Sequence, residues 1–207
     1  LLVLDIDSSK AKREPDYGTI ELFASECFMP LCYGGGIHSL EQAAKIFDLG
    51  VEKICLQSAA INEPTLVSQL ARKYGSQSIV VSIDIKKNWR NKNRLYKSAS
   101  GKCLANHWLS FAQDMANAGA GEIIINSVDN DGELCGYNLN IIAEAALALN
   151  IPIIALGGAS SISDFRLAVQ AGASAVGAGT MFVFHGPHRA VLITYPEYET
   201  LQAELNV

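Results

Sequence analysis

The chain has 207 residues, 49% hydrophobic and 18% charged, with a net charge of −5. That apolar share supplies a sizeable core, and the acidic balance excludes the broadly basic face of a nucleic-acid binder. No run approaches the roughly 18 apolar residues of a membrane span and no secretory leader is visible, so a cytoplasmic setting is expected.

Short apolar runs alternate with longer helical patterns along the chain. Strands are predicted at 1–6 (LLVLDI), 29–33, 53–57, 78–84 (SIVVSID), 122–127 (EIIINS), 151–156 (IPIIAL) and 174–178. Helices are predicted near 17–27, 39–49, 63–74, 105–118, 138–149 and 161–171, with Ser39 and Ser161 as N-caps. Gly50, Gly75, Gly119 and Gly172 follow helices, where a left-handed residue is expected. Runs this apolar suit strands buried on both faces, hence a parallel sheet covered by helices. The five cysteines form no CxxC pair and read as buried, reduced thiols, Cys32 and Cys55 within strands. No metal or cofactor is expected.

The chain repeats itself at an offset of 122 residues. Asp7 meets Asp129, Pro30 meets Pro152, and Gly35–Gly36 meet Gly157–Gly158. Ser39 meets Ser161, Gly50 meets Gly172, and Ser58 meets Thr180, all without a gap. Such a repeat holds four βα units of roughly 30 residues. Two halves of four units make a (β/α)8 TIM barrel, here a single domain over 1–207. Only seven strands are found, and the run at 78–84 has its repeat partner before residue 1. The expectation is a barrel lacking its first strand and helix.

Active sites of such barrels lie at the C-terminal ends of the strands. Those ends carry Asp5 and Asp7, Gly34–Gly36, Gln57–Ser58, Asp84, Asp129, Asp131–Gly132, Gly157–Gly158 and Gly179–Thr180. Paired glycines beside a hydroxyl expose backbone amides, which suits phosphate. Gly35–Gly36 with Ser58 make one cup, and Gly157–Gly158 with Gly179–Thr180 its duplicate. Together they would hold a substrate with a phosphate at each end; tight turns alone are the other reading. Asp84 is a candidate acid or base, or else a helix cap or ion-pair partner of Lys86. Asp129 and Asp131 flank the turn "DNDG", which turn chemistry alone could explain. Lys53 and Glu122 start their strands on the opposite face, where they either reach solvent or form a charged ring. The polar, basic stretch 86–103 reads as a long mobile loop over the mouth, with Lys86, Lys87 and Arg90 able to attract a phosphorylated substrate.

In order, "YGGGI", "SAA", "VVSIDIKK", "GAGEIIINSVDNDG", "GYN" and "IPIIALGGA" resemble the cyclase subunit of imidazole glycerol phosphate synthase, from Leu1 to about Phe184. The resemblance implies a duplicated (β/α)8 barrel. It implies ammonia from a glutaminase partner that docks on the N-terminal face, and a bisphosphorylated imidazole-carboxamide ribonucleotide as substrate. Asp84 then matches one of two catalytic aspartates, the other belonging to the expected missing strand, and Asp131 matches an active-site aspartate. Asp5, Gly35, Gly36, Gln57, Ser58, Asp129, Gly132, Gly157, Gly158, Gly179 and Thr180 fall to substrate and its phosphates. Lys53 and Glu122 match members of a charged gate through which ammonia enters.

Some positions depart from that pattern. Leu156 replaces the usual serine before the second glycine pair, Glu133 the usual threonine, and Gln57–Ser58 the usual asparagine–threonine pair. The tail "FVFHGPHRAVLITYP" and the stretch "SECFMPLCYGGGI" resemble a sister branch that accompanies surface-polysaccharide genes and supplies ammonia for amidating a sugar. Two functions stay open: an ammonia-dependent synthase subunit, or a non-catalytic barrel conducting ammonia to a third protein. Retained Asp84 and both cups favour the first; Leu156 and Glu133 favour the second, or a changed substrate.

Overall fold

The computed structural model describes residues 1–186 and 188–205. In chain order the strands are β1 (Leu2–Leu4), β2 (Cys32–Gly34), β3 (Lys53–Leu56), β4 (Ile79–Lys87), β5 (Asn93–Lys97), β6 (Lys102–Cys103), β7 (Glu122–Ser127), β8 (Ile153–Leu156), β9 (Ala175–Val176), β10 (Phe184–His185) and β11 (Ala190–Val191). The helices are α1 (Ser8–Ala11), α2 (Tyr17–Glu26), α3 (Leu40–Asp48), α4 (Ser58–Asn62), α5 (Pro64–Tyr74), α6 (Trp108–Ala118), α7 (Leu139–Ala148), α8 (Ile162–Gln170), α9 (Thr180–Val183) and α10 (Tyr198–Leu205). Each strand and each long helix expected from the periodicity is present. Strands β1, β2, β3, β4, β7, β8 and β9 pair in parallel in that order, with β1 and β9 at the two ends of the path. Helices link successive strands of this path. The architecture is that of a (β/α)8 TIM-barrel fold.

Register assigns the two faces. Residues paired across parallel strands point to the same side. Leu4, Gly34 and Cys55 share one side, as do Val80 with Glu122, Asp84 with Asn126, and Asn126 with Leu156. This concave side holds the polar groups. The other side carries Tyr33, Ile54, Leu56, Val81, Ile83, Ile123, Ile125 and Ile153, which pack under the helices with Ile46, Leu70, Trp108 and Met115. Full burial of each such side chain contributes about 1.5–3 kcal/mol, so the outer layer fixes the strands and leaves the inner face for chemistry.

The repeat is visible in the hydrogen-bond ladder. Val3 pairs Tyr33 as Ile125 pairs Ala155, and Cys32 pairs Lys53 as Ile154 pairs Ala175, each equivalence being the offset of 122. The Glu52 amide donates to Leu31 O at 3.0 Å, and its repeat mate Ser174 to Ile153 O at 2.8 Å. Both N-caps, Ser39 and Ser161, are extended, with φ of −145° and −152°. Ser161 completes a capping box with Asp164, two orphan amides being satisfied reciprocally.

Two expectations need correction. The stretch 86–103 is not a simple loop: β4 continues to Lys87 and pairs antiparallel with β5, which pairs with β6. Leu95, 1% exposed, is the inward residue that ties this offshoot down; the lysines and arginines around it hide its period of two. The cysteines are all free, but only Cys55 is fully buried; Cys27 and Cys32 are half-buried, and Cys103 and Cys135 are exposed. The short helices α1, α4 and α9, the β10–β11 pair and α10 were not anticipated. Among the described residues no helix is long and apolar enough to cross a membrane.

Candidate active site

Asp84 lies on the concave side of β4, near the C-terminal ends of the strands, and is only 8% exposed. A carboxylate there is costly unless donors replace water. Three surround it: Asn126 Nδ2 donates at 3.1 Å, Ser82 Oγ at 3.3 Å, and Ser98 Oγ donates from the segment after β5. Lys86 is not its ion partner; the Lys86 Nζ sits 5.1 Å above the Tyr96 ring. Arg90 stacks over Trp89, and none of Lys86, Lys87 or Arg90 lines the cleft. The cation at the cleft is Lys10, from α1.

That cleft, about 280 Å³, is lined by Asp5, Gly34–Gly36, Gln57, Ser58, Asp84, Ser98, Asn126, Asp131 and Leu156 among others. The first cup therefore opens into the same space as Asp84. Gly35 has φ of +131°, and a Cβ there would stand 2.5 Å from Asp5 O, so the close approach of β1 to this turn requires glycine. The Gly36 amide donates to Ser9 Oγ at 3.3 Å. Gln57 Nε2 donates to Tyr96 O at 2.9 Å and its Oε1 accepts from Ser58 Oγ at 2.8 Å, which joins the cup to the β5 hairpin. Asp5 accepts the Ser8 amide at 3.0 Å, the Asp7 amide at 3.1 Å and the Ser8 hydroxyl. The Ser8 hydroxyl bond is the chief cause of its carboxyl titrating below the ordinary range. Asp5 thus anchors α1 as well as lining the cleft.

The second cup is a smaller hollow of about 20 Å³ bounded by Asp131, Gly132, Leu156, Gly157, Gly158, Gly179 and Thr180. Gly157, with φ of +87°, lies so close to β7 that a Cβ would come within 2.7 Å of Ser127 O and of Asn126 Oδ1. Asp131 and Leu156 border both cup and cleft, so the two spaces adjoin. Partial burial, and then the charge of Asp84, push the Asp131 carboxyl above its ordinary range. Asp129 stands apart: exposed, it accepts the Lys87 amide at 2.8 Å and braces the end of β4, outside both hollows.

At the opposite ends of the strands Lys53 and Glu122 form a salt bridge across β4. Their side chains are 32% and 22% exposed, so this is a partly desolvated pair and not two charges reaching separately into water. Between it and the cleft the concave face is apolar: Leu2, Val80, Ile124 and Ile154 pack with Cys32 and Cys55. Burial pushes the Cys32 thiol up to about 12, and Cys55 also well upward, so both are neutral at physiological pH. Among the described residues no three His, Cys, Asp or Glu side chains cluster as metal ligands.

Sequence reasoning missed Lys10, Ser82, Ser98 and Asn126. Alternation from Glu122 through Ile124 places Asn126 inward, and alternation from Asp84 does the same for Ser82; those signals were available. Ser98 and Lys10 depend on how a hairpin and a short helix fold back, which no local pattern carries.

Residues 1–188 match the histidine biosynthesis protein family. Two relatives are named "Putative imidazole glycerol phosphate synthase subunit": hisF2 of Pseudomonas aeruginosa, 45% identical over 97% of this chain and 80% of its own length, and HisF of Leptospira borgpetersenii, 46% identical over 95% and 78%. Imidazole glycerol phosphate synthase subunit HisF of Hyphomonas neptunium is 38% identical over 89% and 73%. With the barrel pattern, the duplicated cups and the buried aspartate, these similarities establish that the chain belongs to the histidine biosynthesis protein family, in its HisF group of cyclase subunits.

Proposed function

We propose that the protein is a cytoplasmic, ammonia-using cyclase subunit of a glutamine amidotransferase. It takes the bisphosphorylated imidazole-carboxamide ribonucleotide and ammonia to imidazole glycerol phosphate and the aminoimidazole carboxamide ribotide. The observation that carries this reading is the placement of Asp84 and Asp131 between two adjoining glycine–hydroxyl cups. In strand order, cup one lies on β2–β3, Asp84 on β4, Asn126 on β7, and cup two on β8–β9. A ligand with a phosphate at each end spans the cups and lies over the carboxylates.

Asp84, ringed by donors, serves as the base that collects a proton as ammonia adds and the imidazole closes. Asp131, whose carboxyl holds its proton to higher pH, serves as the acid that returns one. Ammonia arrives from a glutaminase subunit docked on the N-terminal face, past Lys53 and Glu122, along the apolar lumen. Neutral thiols at Cys32 and Cys55 suit a neutral passenger and disfavour ammonium.

The test is turnover of the bisphosphorylated ribonucleotide with ammonium salt as nitrogen donor. Formation of both products together is expected. A second reading, amidation of a sugar in surface-polysaccharide synthesis, is favoured by Leu156, which sets an apolar side chain between the two hollows. No conversion of the ribonucleotide by folded protein would transfer the argument to that reading.

A further inference from the structure

The β10–β11 hairpin breaks the internal repeat. Its equivalents one offset earlier, residues 62–69, lie at the end of α4 and in α5. The second half of the barrel therefore carries a segment that the first half lacks, and specific contacts hold its described residues. Phe184 pairs Val191 and His185 pairs Ala190. The Leu192 amide donates to Val183 O and the Thr194 amide to Phe182 O, both at 2.9 Å. The His185 ring meets Thr194 Oγ1 at 2.8 Å, and the Phe182 and Tyr195 rings lie 5.0 Å apart.

This seating aims one side chain. Arg189, at φ of +48°, donates its amide to Gly186 O at 3.1 Å and its Nη2 to Gly132 O at 3.2 Å. Gly132 borders the second cup beside Thr180. We propose that Arg189 is the cation of the second cup, a specificity-determining residue that receives one anionic end of the ligand. The proposal rests on the reading of that cup as an anion site.

Three observations support it. The lining of the second cup carries no lysine or arginine, so the positive charge for an anionic end of the ligand has to come from a side chain just outside that lining. A carbonyl oxygen occupies one of five guanidinium donors and balances none of its charge; among the described residues Arg189 makes no salt bridge. The first cup has its own cation, Lys10, from the unrelated segment α1. The two ends of the site thus differ in kind: an ammonium acts as a point charge, whereas a planar guanidinium grips two oxygens at once. That difference lets a near-symmetric barrel distinguish the ends of its ligand.

The test is a titration of the protein with inorganic phosphate followed by backbone amide NMR. Gly157, Gly158 and Thr180 report the second cup, and Gly35 and Gly36 report the first as an internal control. In Arg189→Gln the phosphate affinity at the second cup is expected to fall roughly tenfold, the worth of a charge-assisted bond, with the first cup unchanged. Arg189→Lys should restore part of the loss, which separates charge from any disturbance of the hairpin. An unchanged titration at the second cup in Arg189→Gln, equal weakening at both cups, or no phosphate response of the second cup in the unaltered protein would each overturn the proposal. Turnover of the bisphosphorylated ribonucleotide is a separate readout: its absence sinks the cyclase reading, while the titration still decides on Arg189.

Discussion

Replacing Asp84 by Asn tests the chemical core of the account. The substitution keeps the size of the side chain and removes its proton affinity. Its surroundings tolerate the change: Asn126 Nδ2 at 3.1 Å and the Ser82 hydroxyl at 3.3 Å donate to the same oxygen and still meet an acceptor, and the Ser98 hydroxyl, on the other oxygen, can turn to accept from the new amide. Folding stability should therefore shift by no more than about 1 kcal/mol. Both cups are built from other residues, so KM for the bisphosphorylated ribonucleotide should move little. The rate should not escape: loss of a general acid or base is worth about 100- to 10,000-fold, or roughly 3–5 kcal/mol of barrier. The assay is initial rates with saturating ammonium, with thermal unfolding as control. A variant that folds normally and keeps more than about a tenth of the unaltered kcat would refute the assignment of Asp84 and favour the conduit role.

Lys53→Ala breaks the pair with Glu122 at the far ends of the strands and should lower glutamine-fed turnover in the glutaminase complex while leaving ammonium-fed turnover near normal; equal losses from both sources would contradict the gate. Gly157→Ala forces a Cβ to within 2.7 Å of Ser127 O at φ of +87°, so a loss of about 1–3 kcal/mol and a lowered melting temperature are expected. Asp5→Ala removes the carboxylate that anchors α1, costing about 1 kcal/mol at neutral pH. Because the Asp5 carboxyl titrates below its ordinary 3.8 when folded, that contribution is complete above 3.8 and fades as pH falls through the lower folded value; unfolding curves of the two proteins should converge in acid.

The frame of the protein is written locally. Most parallel strands are short runs rich in Ile, Val and Leu, with β2 (CYG) the exception, each long helix has an apolar stripe, and serine caps and glycine stops mark the joints, so the alternating pattern recovers their order. The repeat adds long-range information, since glycine pairs at a fixed offset identify equivalent corners. The hairpin after β4 was hidden because Arg94, Tyr96 and Lys97 stand on an offshoot where only Leu95 is buried, which leaves one apolar residue and no visible period. Asp84 was legible as a carboxylate ending an apolar run, yet the ring of Ser82, Ser98 and Asn126 around it is made by register and by a fold-back. Asp129 shows the converse: the sequence aligns it with the site, but its side chain is spent on the Lys87 amide.

The most direct measurement is a crystal structure of the protein with the bisphosphorylated ribonucleotide bound. One phosphate should lie on Gly35, Gly36 and Ser58, the other on Gly157, Gly158 and Thr180, with the reacting portion between them against Asp84. Density for the ligand elsewhere, or for only one phosphate with Asp84 facing solvent, would contradict the account.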